Sequence, residues 1–154
     1  MDQQNTINIH TDGACKGNPG PGGWGAVLEF DDKQLCIGGR ENPTTNQRME
    51  LKAAVEALRH VEGSGHKIRL RADSQHVQKG MSEWLPNWKA KNWKNASKKP
   101  VANADLWKEL DALAGRHSIE WLWVRGHSGD PGNDLADRLA NRAITEGDIR
   151  ETNS

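Results

Sequence analysis

A helix between two strand-like stretches constrains the fold of this chain most. Between Asn46 and Val61 the apolar residues recur with a helical period, at Leu51, Ala54, Val55, Leu58 and Val61. Thr44 and Gln47 have capping-box spacing at its start. Apolar and polar residues alternate before it, at Ile7–Thr11, and after it, at Lys67–Ala72, as in β-strands. A strand, a helix and a further strand predict a crossover connection within one sheet.

The other elements fit the same plan. Three strands are predicted first, then the helix, a strand, two or more helices, a strand and a closing helix; the later segments are Trp24–Phe30, Leu35–Gly39, Ser74–Lys79 ending near Gly80, Asp105–Leu113, Ile119–Val124 and a helix opening at Pro131 with Asp130 as N-cap. Gly17–Gly25 is dense in Gly and Pro and predicts a loop. The order predicts an α/β fold with one mixed sheet flanked by helices.

The length of 154 residues suits one domain, which we expect to span residues 1–154 with a frayed tail from about 148 to 154. Cys15 and Cys36 are the only cysteines and have neither disulfide-framework nor zinc-site spacing. No signal pattern and no long apolar run occurs. We therefore expect a soluble, cytoplasmic protein, and a monomer.

The charges balance overall, with 21 basic and 21 acidic residues, but they are segregated along the chain. The stretch Leu85–Ala104, called here the basic segment, has no acidic residue and places several lysines among Trp88 and Trp93. Clustered cations interleaved with aromatic residues indicate contact with nucleic acid. The tryptophans Trp84 and Trp88 also have helical spacing, so internal packing is an equal alternative for them.

Four carboxylates draw attention, although each has an ordinary explanation. Asp12 ends a strand beside Gly13 and suits a turn, whereas Asp73 ends another strand and suits a helix N-cap. Both are in phase with the polar positions of their strands, so adjacent parallel strands can bring them together. Glu50 suits the start of its helix electrostatically, but it has no cation at helical spacing, whereas Glu56 has Arg59.

The closing helix offers a similar contrast. Asp134 has Arg138 four residues later, whereas Asp137 faces Asn133, Ala140 and Asn141. An acidic cluster without cations is costly unless something neutralises it, and hard oxygen ligands of this kind suit Mg²⁺. The Gly-rich stretch Gly17–Gly23 lacks the Lys-Ser/Thr ending of a nucleotide phosphate loop, so nucleotide hydrolysis is rejected.

Five ordered blocks give a specific resemblance. They are Thr11–Cys15 continued by Gly17–Gly25, Thr45–Leu51, Asp73–Gln75, Trp123–Gly129 followed by Asn133–Ala140, and the Trp- and Lys-rich stretch from Asn87 through Trp107. Over nearly the whole chain, from Ile7 to Ala143, the sequence resembles bacterial-type ribonuclease HI, of the type 1 ribonuclease H family.

The resemblance implies a ribonuclease H-like fold, a five-stranded mixed sheet with three antiparallel and two parallel strands. It implies an endonuclease that hydrolyses the RNA strand of RNA/DNA hybrids with two metal ions, Mg²⁺ or Mn²⁺, and leaves 5′-phosphate and 3′-hydroxyl ends. The implied metal ligands and catalytic residues are Asp12, Glu50, Asp73 and Asp137. His127, alone an ordinary loop histidine, would transfer a proton or assist product release.

The resemblance also implies which residues contact the substrate. Recognition would depend on the 2′-hydroxyl, which distinguishes RNA from DNA. Positions near that minor-groove contact are Gly13, Asn46, Gln47 and Gln75, and positions for backbone or phosphate contacts are Asn18, Thr45 and Asn103. The DNA strand would be held by Trp84, Trp88, Lys89, Lys91, Trp93 and Lys94. Two positions depart from the family pattern: Gln47 stands where many relatives carry Asn, and Asp130 where His is frequent.

Two other classes of function compete with this interpretation. A DNA strand-transfer or resolving enzyme shares such a sheet and carboxylates, but the short chain and the basic segment argue against it. A non-catalytic module that binds hybrids is disfavoured because all four carboxylates are present. Replication proteins and other protein partners are not identifiable from the sequence.

Overall fold

The computed structural model describes residues 6–72, 74–95, 97–124 and 130–153. The strands are β1 (Ile7–Cys15), β2 (Gly20–Phe30), β3 (Lys33–Thr44), β4 (Lys67–Ala72), β5 (Ser118–Trp123) and β6 (Ile149–Asn153). The helices are α1 (Asn46–Arg59), α2 (Gln75–Lys79), α3 (Leu85–Ala90), α4 (Ala104–Ala114) and α5 (Pro131–Glu146), and a π-helical turn at Gly80–Trp84 joins α2 to α3.

The strands form one mixed sheet in the order β5-β4-β1-β2-β3-β6. β1, β2 and β3 are antiparallel neighbours, whereas β4 and β5 continue the sheet in parallel on the other side of β1. The predicted mixed sheet is confirmed, with the parallel strands joined through helices. No helix in the described part of the chain has the length and apolar character needed to span a membrane.

The sheet has six strands instead of the predicted five. β6 pairs antiparallel with β3, so the prediction of a frayed tail from 148 to 154 was wrong for residues 149–153. Ile149 is buried and packs with Val27, Cys36 and Leu139 under α5. The short polar stretch carries little hydrophobic signal of its own, and it is ordered because an open edge of β3 offers it backbone partners.

Two hydrophobic clusters cover the two faces of the sheet. The larger cluster joins the sheet to α1 and α4 and includes Trp107, Leu110 and most of the apolar side of α1. The smaller one lies under α5 and includes Val27, Leu139 and Ala143. The sheet is therefore the middle layer of the molecule, and its strands present apolar residues to both faces.

The Gly-rich stretch is mostly strand, not the predicted loop, because β2 begins at Gly20. A Cβ built on Gly23 would lie 2.2 Å from the Ala140 carbonyl oxygen, and one on Gly25 would lie 2.5 Å from that of Ala136. These glycines let α5 approach the sheet more closely than any side chain would permit. The glycines that suggest a loop in the sequence therefore serve the packing of α5 on the sheet.

The strands predicted at Trp24–Phe30 and Leu35–Gly39 are confirmed, and they are joined as a hairpin by a tight turn. β2 ends at Phe30 and β3 begins at Lys33, leaving Asp31 and Asp32 as a two-residue turn. Both have positive φ, 49° and 63°. Asp tolerates this left-handed conformation, which two-residue hairpin turns need.

Two predicted helix boundaries differ from those observed. The N-cap of α1 is Thr45, whose side chain accepts from the Arg48 N–H, and not Thr44. Gly80 does not stop the helix after α2, because it continues in right-handed helical geometry into the π-helical turn. A Cβ on Gly80 would lie 2.0 Å from the Trp107 ring, so this glycine serves close packing and not chain reversal.

Candidate active site and nucleic-acid interface

Asp12 lies on β1 with its side chain on the face that α5 covers. Its antiparallel partner is Gly25, which contacts α5 at Ala136. Directly paired residues share one face of the sheet, so the Asp12 carboxylate points toward α5 as well. The residue is only 3% exposed, and its Oδ1 accepts a hydrogen bond from the Gly13 N–H at 2.8 Å. The fold thus holds a carboxylate almost entirely below the surface.

Glu50 lies in α1, on the other face, and is 4% exposed. A Cβ built on Gly13 would come within 2.5 Å of the Glu50 backbone nitrogen. The residue next to Asp12 therefore contacts the backbone of Glu50, with no room for a side chain between them. This gives Gly13 a packing role that the prediction of substrate contact did not include.

Asp137 is half-buried on α5, one residue after Ala136, which packs on Gly25. Its Oδ1 accepts from the Asn141 side-chain amide at 3.3 Å. Because Gly25 is the strand partner of Asp12, α5 carries Asp137 to the region of the sheet that Asp12 occupies. β1, α1 and α5 together position three of the four predicted carboxylates.

Asp73 and His127 lie outside the described residues. Immediately before Asp73, β4 pairs in parallel with β1, with Thr11 opposite Ala72 and His10 opposite Arg71. The Val124 N–H donates to the Ala72 carbonyl at 2.9 Å, so β5 ends beside the end of β4. Among the described residues, no group of three or more His, Cys, Asp or Glu side chains is arranged to hold a metal ion.

The predicted ion pairs were only partly observed. Glu56 pairs with Arg59 at 2.7 Å and with Lys52 at 3.6 Å, as expected for a surface charge. No ion pair joins Asp134 to Arg138 within residues 130–153. The contrast drawn from the sequence between Asp134 and Asp137 therefore has no support in the local pairing.

Predicted substrate-contact residues surround the start of α1. The Asn18 Oδ1 accepts from the Asn46 N–H at 3.2 Å, and the Thr45 Oγ1 accepts from the Arg48 N–H at 3.2 Å. Asn46 and Gln47 are exposed, as is Gln75 in the first turn of α2. Asn103, the N-cap of α4, has a left-handed φ of 59° and makes no side-chain cap.

The tryptophans of the basic segment form part of an aromatic cluster. Ring centroids lie 5.8 Å apart for Trp84 and Trp88, 6.4 Å for Trp88 and Trp93, and 5.1 Å for Trp88 and Trp107. His76 joins the cluster at 5.3 Å from Trp107, and burial there lowers its pKa. Trp84, Trp88 and Trp93 are half-buried, so each ring packs in the cluster and keeps part of its surface exposed.

The three predicted lysines differ in environment. Lys89 pairs with Asp111 of α4 at 3.1 Å. Lys91 and Lys94 are exposed and have no ion-pair partner among the described residues. A phosphate can reach these two without displacing a carboxylate, whereas Lys89 must first leave Asp111.

Asp130 is confirmed as the N-cap of α5. Its Oδ1 accepts from the Gly132 N–H at 2.9 Å and the Asn133 N–H at 3.1 Å, and lies 3.8 Å from the His10 Nδ1. His10 is buried and also contacts Glu29 at 3.3 Å. The carboxylate of Asp130, which stands where His is frequent in the family, therefore faces the N-terminus of α5 and the imidazole of His10.

Sequence reasoning overlooked Arg48. Its guanidinium contacts Glu41 of β3 and, at the start of α4, Asn103 and Asp105. The Asp105 hydrogen bonds raise the pKa of Arg48, and the same contact lowers the pKa of Asp105. No local spacing signals this, because Asn103 and Asp105 are more than 50 residues away along the chain.

Comparison with known proteins gives one consistent result. The RNase H family model matches residues 4–145. The chain is 56% identical to a protein named ribonuclease HI from Pseudomonas aeruginosa over 146 residues, 95% of this chain and 98% of that one. It is 59% identical to a ribonuclease H from Cupriavidus necator over 138 residues, 90% of this chain and 94% of the other.

Two solved structures of ribonucleases H have the same fold as this chain. The crystal structure of LC9-RNase H1, described as a type 1 RNase H with the type 2 active-site motif, superposes with a TM-score of 0.84 at 29% identity, covering 96% of this chain and 78% of that one. LC11-RNase H1, solved in complex with an RNA/DNA hybrid, has the same fold with a TM-score of 0.70 at 22% identity, covering 90% of this chain and 96% of that chain. The chain belongs to the ribonuclease H family and, within it, to the bacterial ribonuclease HI type.

Proposed function

We propose that this protein is an endonuclease that hydrolyses the RNA strand of RNA/DNA hybrids. The observation that carries the proposal is the burial of Asp12 and Glu50 on two elements that meet at Gly13. A carboxylate that the fold holds almost entirely below the surface is a candidate ligand for a divalent cation. Family membership and relatives named ribonuclease H support the assignment.

The acidic residues suit divalent cations, because carboxylate oxygens are the hard ligands that Mg²⁺ and Mn²⁺ prefer. Two such ions held by Asp12, Glu50, Asp73 and Asp137 would supply the chemistry of hydrolysis, by acidifying the attacking water and neutralising the leaving 3′ oxygen. The products are then 5′-phosphate and 3′-hydroxyl ends. His127 is proposed to move a proton or assist product release, since an imidazole titrates near neutral pH.

The exposed residues at the start of α1 and α2 are proposed to recognise the hybrid. Asn46, Gln47 and Gln75 offer amide groups to the sugar edge, where only the RNA strand carries a 2′-hydroxyl. Lys91 and Lys94 offer cations to the DNA strand. Phosphate contacts from Asn18, Thr45 and Asn103 fix register without reading sequence.

The site of action is proposed to be the cytoplasm, and the acting species a monomer. Cys15 and Cys36 are free thiols, which suits a reducing compartment. The proposal that residues 1–154 form one catalytic domain rests on family membership, because the family model matches residues 4–145.

A strand-specific cleavage assay tests the proposal. Hybrid, duplex RNA and duplex DNA, each labelled on one strand, are incubated with Mg²⁺, with Mn²⁺ or with chelator. We expect cleavage of the RNA strand of the hybrid only, dependent on metal and abolished in Asp12→Asn.

Asp137→Asn and Asp134→Asn form a matched pair on α5, because both remove one carboxylate from the same helix. The first is expected to abolish cleavage and the second to leave it near wild type. Cleavage that survives chelator contradicts the metal mechanism. Cleavage of DNA alone favours a strand-transfer or resolving enzyme, and hybrid binding without turnover favours a binding module.

A further inference from the structure

The contacts of Arg48 decide which atoms its neighbours present to a substrate. Its Nη1 lies 3.4 Å from the Asn103 Oδ1, and its Nη1 and Nη2 lie 3.2 Å and 2.9 Å from the two Asp105 carboxylate oxygens. Its Nε lies 3.2 Å from Glu41. The planar guanidinium therefore forms a fork that joins β3, α1 and the start of α4.

The fork fixes the orientation of the Asn103 amide. A guanidinium N–H can only donate, so the atom of Asn103 that faces Arg48 must be the oxygen and not the nitrogen. The NH₂ group then points away from Arg48, and it has no acceptor within the described residues. Asn103 also forgoes the usual N-cap use of its oxygen, since no side-chain cap is made.

Thr45 is held in the same sense by the backbone N–H of position 48, independently of the arginine side chain. The Arg48 N–H donates to the Thr45 Oγ1 at 3.2 Å, which occupies an acceptor position of that hydroxyl and leaves its O–H free to donate outward. Two candidate phosphate contacts, Thr45 and Asn103, are thus both held by their acceptor atoms. Phosphate oxygens only accept, so two donors form a complementary arrangement.

The charge of Arg48 is itself compensated. Glu41 and Asp105 contact its guanidinium, and Lys52 lies 4.0 Å from the other oxygen of Glu41. The contribution of Arg48 to phosphate binding is therefore directional rather than a free positive charge.

We propose that Arg48 is a positioning residue for the substrate, whose guanidinium sets the Asn103 amide as a hydrogen-bond donor, beside the Thr45 hydroxyl, toward a phosphate of the hybrid. The inference rests on the proposed function for its ligand, and on the contacts of Arg48 for its geometry. Arg48 itself does not touch the substrate; its side chain acts through Asn103.

The decisive variant is Arg48→Lys, because it keeps the positive charge but replaces the fork by a compact ammonium that cannot hold all three partners. We expect it to raise the dissociation constant for a hybrid about three- to tenfold, which is the effect of losing one well-directed hydrogen bond. We also expect it to raise KM with little change in kcat. The dissociation constant is measured by fluorescence anisotropy without divalent metal, and thermal unfolding confirms that each variant folds.

Arg59→Lys is the matched control. Arg59 lies on the same helix and also forms ion pairs, with Glu56 and with Glu109 of α4, but contacts neither Thr45 nor Asn103. If Arg48 served only to fasten α1 to α4, both Lys variants would weaken binding equally. We expect Arg59→Lys to bind hybrid as the wild type does.

A double-mutant cycle with Asn103→Ala completes the test. Once the amide is absent, Arg48→Lys should weaken binding little further, because the backbone N–H that holds Thr45 is the same in both proteins, so the two changes should be less than additive. Full additivity, or a wild-type dissociation constant in Arg48→Lys, overturns the proposal. Hybrid binding without cleavage refutes only the nuclease function, since the coupling is still measured; no hybrid binding by the wild type refutes both.

Discussion

At the predicted active site the acidic groups Asp12 and Glu50 are almost completely buried, whereas in the basic segment Lys91 and Lys94 stand exposed above an aromatic cluster. In the first region, glycine at position 13 lets the backbones of β1 and α1 meet. The second is held by tryptophan side chains packed on α4. Chemistry at an exact geometry needs the first kind of support, whereas binding a polyanion needs only exposed charge on a stable platform.

Gly13→Ala is expected to have the largest effect, because it disturbs the contact between β1 and α1 at the predicted active site. The added methyl group has no space beside the Glu50 nitrogen at 2.5 Å or the Met49 carbonyl carbon at 2.7 Å, so α1 must move. We expect kcat to fall about a hundredfold and the free energy of unfolding by roughly 2 kcal/mol. Cleavage kinetics and urea unfolding measure the two effects.

The control for this substitution is Gly115→Ala, whose Cβ would meet its nearest neighbours at 3.5 Å and 3.6 Å. Gly115 has an ordinary helical φ of −64°, so alanine fits. A Gly13→Ala protein with normal kcat would show that the spacing between β1 and α1 does not govern the chemistry.

Gly80→Ala tests the platform of the basic segment. The methyl group would come within 2.0 Å of the Trp107 ring, which is buried and cannot swing away. We expect a loss of about 1–2 kcal/mol in unfolding free energy and an increase in KM that exceeds any decrease in kcat. If kcat falls instead while KM stays constant, the two regions are not separable.

Lysine substitutions give a smaller and more specific effect. Replacing Lys91 and Lys94 together by Gln should reduce the slope of log affinity against log salt by about one to two, because each phosphate that is no longer neutralised releases up to one counterion fewer. Lys89→Gln should change the slope less, because Lys89 is already paired with Asp111. Equal slopes for all variants would mean that the basic segment does not bind the hybrid.

The pH dependence of stability is the smallest expected effect. Burial lowers the folded-state pKa of His76 below its ordinary value of 6.5, so the unfolded chain binds the proton more readily. The contribution of the neutral, buried His76 to the free energy of unfolding is complete above the pKa of the unfolded state. It is lost as pH falls from about 6.5 toward the pKa of the folded state. Urea unfolding between pH 8 and pH 5 should show a smaller decrease in His76→Gln than in wild type, and identical profiles would contradict the role of burial.

The elements with their own periodic signal were predicted well. The observed bounds lie within a few residues of the predicted ranges for α1, β4, α4 and α5, because the apolar residues of each repeat with the period of a helix or a strand. β6 was missed, as its polar residues form a strand only because β3 offers an edge. The start of β2 was missed since Gly23 and Gly25 serve a helix that lies over a hundred residues away in sequence.

The candidate site divides in a similar manner. The sequence by itself determined the chemical groups, the mixed sheet, and the family to which the motifs belong. Only the tertiary structure decided that Gly13 is a contact between β1 and α1, that Trp88 packs against Trp107, and that Arg48 contacts Asn103. Local periodicity reports how a segment buries its own apolar face, whereas contacts between distant segments arise only when the chain is folded.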